Sequence, residues 1–97
     1  MDVNSIALSG LRAATTDLKT VATNIANQDT PGFKAQKVDK KSDANGGVQV
    51  DVKQTDQDVD TADQLVKGDI ATYTYQANLK VLKTQKEMDK SLLDLQA

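Results

Sequence analysis

The sequence predicts a mainly α protein: two long amphipathic helices at the ends that pair as a coiled-coil hairpin, and a short polar middle holding a small β-hairpin. Three observations predict it. Leu11, Leu18 and Ile25 recur every seven positions, with Asn4 in the same register and Ala7, Ala14 and Val21 three positions further on. Thr30-Pro31-Gly32 then closes that pattern. From Thr61 a second pattern of threes and fours runs through Ala71, Tyr75, Asn78, Leu82, Gln85, Met88, Leu92 and Leu95.

A sevenfold recurrence keeps one apolar stripe facing a partner helix, which makes the first segment a coiled-coil seam. It predicts a helix over 3–28, roughly 39 Å long at 1.5 Å per residue. Asp2 or Asn4 offers an oxygen to the free N–H groups of the first turn. Pro31 has no N–H to donate and Gly32 tolerates positive φ, so the helix stops there and the chain reverses. Ala7 and Ala14 leave a flat seam suited to close helix approach. Residues 1–34 form the first unit of the chain.

The second unit, residues 35–60, shifts to Lys, Asp, Asn, Gly and Gln. Within it Val48-Gln49-Val50-Asp51-Val52-Lys53 alternates apolar and polar side chains, the period of a strand. Asn45-Gly46-Gly47 supplies turn chemistry, and residues 33–38 supply the partner strand of a hairpin. The third unit, residues 61–97, opens on Thr61 with Gln64 three positions later, a capping box, and continues as a helix to about residue 96. Gly68 costs about 1 kcal/mol there relative to Ala and marks a point where the helix would break. Lys83 with Glu87, and Lys90 with Asp94, are i,i+4 ion-pair candidates.

Composition excludes several function classes. The chain has 97 residues, no Cys and no His, and its aromatics are Phe33, Tyr73 and Tyr75. Thiolate metal sites and disulfides are impossible, and the commonest metal ligand and general base are missing. No cofactor is expected. Net charge is −2, with the acidity in the middle: residues 35–69 carry five Lys against eight Asp. Arg12 is the only Arg, so a nucleic-acid stripe or a basic membrane-surface helix is disfavoured. No apolar run reaches the ~20 residues of a membrane span, and the N-terminus lacks the basic start and apolar core of a cleaved signal peptide. Direct membrane insertion is not expected.

Asp56, Asp58 and Asp60 alternate like the first ligands of a calcium loop. The positions for its turn glycine and bidentate acid hold Thr61 and Lys67, so a solvated acidic linker entering a helix N-terminus is the better account. Glu87 and Asp89 are the only carboxylate pair worth weighing for a small hydrolase, and no nucleophile, cofactor loop or apolar pocket accompanies them. Asn24 and Asn27 at the end of the first helix either cap it or bond a neighbouring subunit's backbone. Asn78 and Gln85, polar within an apolar stripe, either fix coiled-coil register or lie exposed. Two helices of this length joined by a polar middle cover each other only in part. Burial of the stripes against a partner is therefore favoured over self-contained packing.

Ser9-Gly10-Leu11, Asn24-Ile25-Ala26-Asn27 and Thr30-Pro31-Gly32-Phe33-Lys34 at one end, with Tyr75-Gln76-Ala77-Asn78, Glu87-Met88 and Leu92-Leu93 at the other, resemble the signatures of the bacterial flagellar rod and hook axial proteins. The resemblance implies a non-enzymatic structural subunit of the flagellar basal-body rod, serving flagellum-dependent motility. Its terminal helices would pair as a coiled coil and pack against sister subunits and other axial proteins in a helical tube. It implies export through the flagellar type III apparatus without a cleaved signal, and disorder before assembly. The short middle points to a short, proximal-rod-like member. Leu11, Leu18, Val21, Ile25, Tyr75, Asn78, Leu82, Met88 and Leu92 are the expected subunit-interface residues. The alternative from a different class is a self-contained helical hairpin acting as adapter or chaperone-like module for a secreted component.

Overall fold

The computed structural model describes residues 2–96. Helix α1 spans Val3–Ala26, strands β1 and β2 span Gln36–Ser42 and Val48–Gln54, and helix α2 spans Thr61–Gln96. Both helices and the intervening hairpin of the sequence reading are present, and α1 and α2 pack against each other. The molecule is a rod of 64 × 25 × 15 Å.

Asp2 is the N-cap of α1: its carboxylate accepts the Ser5 N–H at 2.8 Å, and that bond holds its carboxyl below the usual aspartate range. The helix ends at Ala26, two residues short of expectation, because Asn27 turns both its donors back on it. The Asn27 N–H and Nδ2 each bond Thr23 O, at 3.1 and 2.9 Å. The reversal follows in residues 30–33, where the Phe33 N–H donates to Thr30 O at 3.1 Å with Pro31 second and Gly32 third. With Gly32 at φ +78° this is the pattern of a type II turn, which requires the residue Gly32 is.

The hairpin pairs Gln36 with Gln54 through Ser42 with Val48, antiparallel. Its first strand begins at Gln36 rather than at 33 and runs four residues past 38. Residues 33–35 are occupied elsewhere: Ala35 donates to Gln57 O at 2.8 Å, and its carbonyl accepts the Thr55 N–H at 3.0 Å and the Thr55 hydroxyl at 2.6 Å. Lys40-Lys41-Ser42 reads as loop by composition, yet pairing with Val50, Gln49 and Val48 makes it strand. Gly46 and Gly47, at φ +92° and +89°, close the tip, where the Asp43 carboxylate accepts the Asn45 N–H at 2.9 Å and Gln49 Nε2 at 3.0 Å.

Helix α2 runs unbroken through Gly68. Its N-cap is Asp60, whose carboxylate accepts the Asp63 N–H at 3.2 Å. Thr61 and Gln64 do not form the expected capping box, because their side chains reach across to α1 and the turn after it: Gln64 Oε1 accepts from Asn24, and the Thr61 hydroxyl donates to Gln28 Oε1. Asp63 and Lys67 make the i,i+4 pair on this helix, at 2.9 Å. Lys83–Glu87 and Lys90–Asp94 are not among the ion pairs of the described residues.

Helix α1 lies between the hairpin and α2, and both strands pack on α1 rather than on α2. The apolar core is made of alanine: Ala7, Ala13, Ala14, Ala35 and Ala71 are its buried members. Gly10 faces Asn78, Val21 faces Gly68, Asn24 meets Gln64 and Gln28 meets Thr61, which fixes an antiparallel stagger. Carried to Val3, that stagger ends near residue 86. The last ten residues of α2, about 15 Å of helix, run on past the start of α1.

Candidate assembly surface

The α1–α2 seam is built for close approach. A Cβ at position 10 would lie 2.5 Å from Asn78 Oδ1, a separation that real Cβ atoms do not tolerate. Ala14 and Ala71 are 1 % exposed. Larger neighbours on α1, namely Leu11, Leu18, Val21 and Ile25, straddle the seam and are only half-buried. On α2 the same half-covered condition holds for Asn78, Leu82 and Gln85, and Tyr75 sits at the rim.

Four of the signature residues, Ser9, Asn24, Asn27 and Lys34, lock the scaffold together. Ser9 Oγ donates to Ile6 O at 2.8 Å and accepts the Val48 N–H at 3.1 Å, which pins the start of β2 to α1. Asn24 is wholly buried. Its Nδ2 donates to Gln36 O at 2.9 Å and to Gln64 Oε1 at 3.0 Å, and its Oδ1 accepts the Gln36 N–H at 2.8 Å. Asn27 caps α1. Of the two readings open for Asn24 from sequence, neither describes this position: it joins α1, β1 and α2 within one chain. The signal was its heptad phase, since Asn24 sits three residues after Val21 on the seam. Lys34 continues the scaffold through an ion pair to Asp58 at 2.7 Å and a backbone carbonyl that accepts from Gln54 Nε2.

Met88 lies off the face of Tyr75, Asn78 and Leu82, and Leu92, in heptad phase with Asn78 and Gln85, lies beyond the start of α1. The second-helix stripe of the sequence reading is two stripes. One, through Gln64, Gly68, Ala71, Tyr75, Asn78 and Leu82, meets α1. The other, through Val66, Ile70, Tyr73, Ala77, Val81, Met88, Leu92 and Leu95 at spacings of three, four and seven, lies beside the first, with Ile70 at the edge of the groove toward β1, and runs the length of the helix. Its large members are exposed: Ile70 by 59 %, Tyr73 by 75 %, Met88 by 56 % and Leu95 by 82 %. Val3, Ile6 and Leu8 add exposed apolar surface on α1 beside the overhang.

Charges lie around the hairpin and the linker. Asp17 reaches Lys40 at 2.5 Å. Asp39 stands between Lys53 at 3.0 Å and Lys37 at 3.6 Å, and its bond to Lys53 holds its carboxyl low and raises the Lys53 ammonium. Lys34 does the same to Asp58, so this member of the acidic run is an ion-pair partner and Asp60 is a cap. A groove of about 340 Å³ separates β1 from α2 over Val21, floored by Val38 and Ile70. Glu87 and Asp89 sit on the exposed overhang, with Asp89 accepting Gln85 Nε2 at 3.2 Å. Among the described residues no cluster of three potential metal ligands is found, and no helix is long and apolar enough to cross a membrane. The surface can bury apolar side chains against another chain.

Residues 5–34 match the family model described as flagella basal body rod protein. The matched segment covers nearly all of α1, the Asn24 node and the turn at Pro31-Gly32. It supports the flagellar rod family, a structural and non-enzymatic family, and with it a rod structural role at the flagellar basal body in association with other rod components. No curated protein matches the chain.

Proposed function

With the flagellar rod family as premise, we propose that this chain is a structural subunit of the bacterial flagellar rod that polymerises by burying the outer stripe of α2 and the exposed start of α1 against sister and other axial subunits. One observation carries the reading. The chain exposes 7002 Å². A compact monomer of its 10.4 kDa would expose about 5,400 Å², so roughly 1,600 Å² is in excess. That excess is about two standard interface faces of roughly 800 Å² each, what a subunit with a neighbour on either side would bury. Subunits related by a head-to-tail contact that does not close build filaments, the geometry of an axle. The C-terminal signature residues fit this reading, because Met88, Leu92 and Leu93 lie on the overhang, where α1 leaves them uncovered. Export through the type III apparatus without a cleaved signal, and a proximal position suited to the short hairpin, complete the proposal.

One observation favours the helical-hairpin adapter as second reading: the described residues leave no buried side-chain polar atom without a partner, so the α1–β1–α2 scaffold is complete in a single chain. Joint substitution of Ile70 and Met88 by Lys separates the two. A rod subunit loses self-association and motility while the helicity of the dilute chain stays equal to that of the parent, whatever its value. An adapter keeps its oligomeric state and loses only capture of its client.

A further inference from the structure

We infer that Asn24, through Gln64, is a register lock that selects one stagger of α2 along α1 and, through Gln36, seats the hairpin at the same point. The remainder of the seam holds the stagger by shape alone. It sets small residues against larger ones, Gly10 against Asn78 and Gly68 against Val21, a fit that a change of rotamer in the larger partner can relax. Asn78 makes its own hydrogen bond within α2, Nδ2 to Thr74 O at 2.9 Å, so that bond is kept at any stagger.

Asn24 is different because it is 0 % exposed and uses both amide hydrogens, one for Gln36 O and one for Gln64 Oε1. A one-turn slide that brings position 68 opposite Asn24 presents a glycine, which has no acceptor to offer. A buried N–H would then be left unpaired, the expensive outcome for a polar group in a closed seam. The opposite slide draws Thr61 away from Gln28 and breaks the bond between them. Only the observed stagger completes the node. A single buried amide that trades some stability for one register is a known device of coiled coils. Here it also sets the length of the α2 overhang, and so which part of the outer stripe a partner meets. The lock belongs to the single chain and stands whether or not the rod reading does.

Intramolecular disulfide trapping in the full-length, dilute chain tests it. Val21 and Gly68 are neighbours, with Val21 Cγ1 3.5 Å from where a Cβ at 68 would sit, so the V21C/G68C pair reports the native stagger. The V21C/T72C pair reports the one-turn slide. The parent should crosslink through 68 and not through 72. Adding Asn24→Leu should raise crosslinking through 72 by about tenfold or more, the shift expected when one ordinary buried hydrogen bond no longer discriminates, with helicity retained. Should Asn24→Leu lose its helicity, Gln64→Met is used instead, which removes only the interhelix bond and leaves Asn24 bound to Gln36. Crosslinking confined to 68 in a helical variant overturns the lock; crosslinking through both positions supports it.

Discussion

The two stripes of α2 are made of opposite materials. The one that meets α1 is closed by small residues, with Gly10 receiving Asn78, Gly68 receiving Val21, Ala14 and Ala71 buried, and Asn24 of α1 buried against one end. The one that faces outward is large and open, with Ile70, Tyr73, Met88 and Leu92 more than half exposed. Small residues bring two backbones close and fix geometry but remove little apolar area from water. Large residues hold most of the available hydrophobic free energy, at about 25 cal/mol per Å². Within one chain the second stripe has nothing to cover it. The seam sets the shape of the subunit, and the stripe retains the driving force for whatever the subunit joins.

The largest expected effect on single-chain stability lies in the seam. Asn24→Ala leaves the Gln36 N–H and the Gln64 amide without their buried partner and should destabilise by about 3 kcal/mol, read from urea denaturation of the dilute chain. Gly10→Ala comes next. The new Cβ meets Asn78, so a loss of about 1–3 kcal/mol should appear as a lowered Tm. If Gly10→Ala proves neutral, Asn78 can swing aside and the seam is looser than described.

On the stripe the sign of the comparison inverts. Ile70→Lys together with Met88→Lys should move dilute-chain stability by no more than about 0.5 kcal/mol per site, while sedimentation shows association abolished. A stability loss as large as that of Asn24→Ala would mean that the stripe already packs within the chain. Lys40→Ala, which removes a partly exposed ion pair to Asp17, should cost about 1 kcal/mol or less and weaken docking of the hairpin on α1, visible as faster amide exchange in β1.

The smallest effect is that of pH, and it belongs to the hairpin and caps rather than to the seam. Asp2, Asp39, Asp43 and Asp58 all ionise below their ordinary value of 3.8. Their stabilising share is therefore present above that value and lost as pH falls through the lower folded values. Lys53 is raised above 10.5, so its share is present below that value and lost as pH rises through the folded one. Melts followed from neutral to strongly acidic pH should show a modest decline only in the acid range. A transition near neutrality would contradict it, since the chain has no histidine.

Periodicity alone determined the helices of this protein, their pairing through a flat alanine seam, the reversal at Pro31-Gly32 and the presence of a hairpin around Gly46 and Gly47. These features follow from local spacing, from proline's missing donor and from glycine's access to positive φ, all of which are written residue by residue. Only the tertiary structure decided which face of α2 meets α1. Spacings of three and four fit both stripes, so Met88 and Leu92 read as one seam with Tyr75 and Leu82 until the stagger was fixed. It also decided that Asn24 is a buried junction rather than a cap, that Asp60 rather than Thr61 caps α2, and that a lysine-rich run is strand. Each of these depends on a partner far away in sequence, and a hydrogen bond between residues 24 and 64 leaves no mark on the local pattern of either.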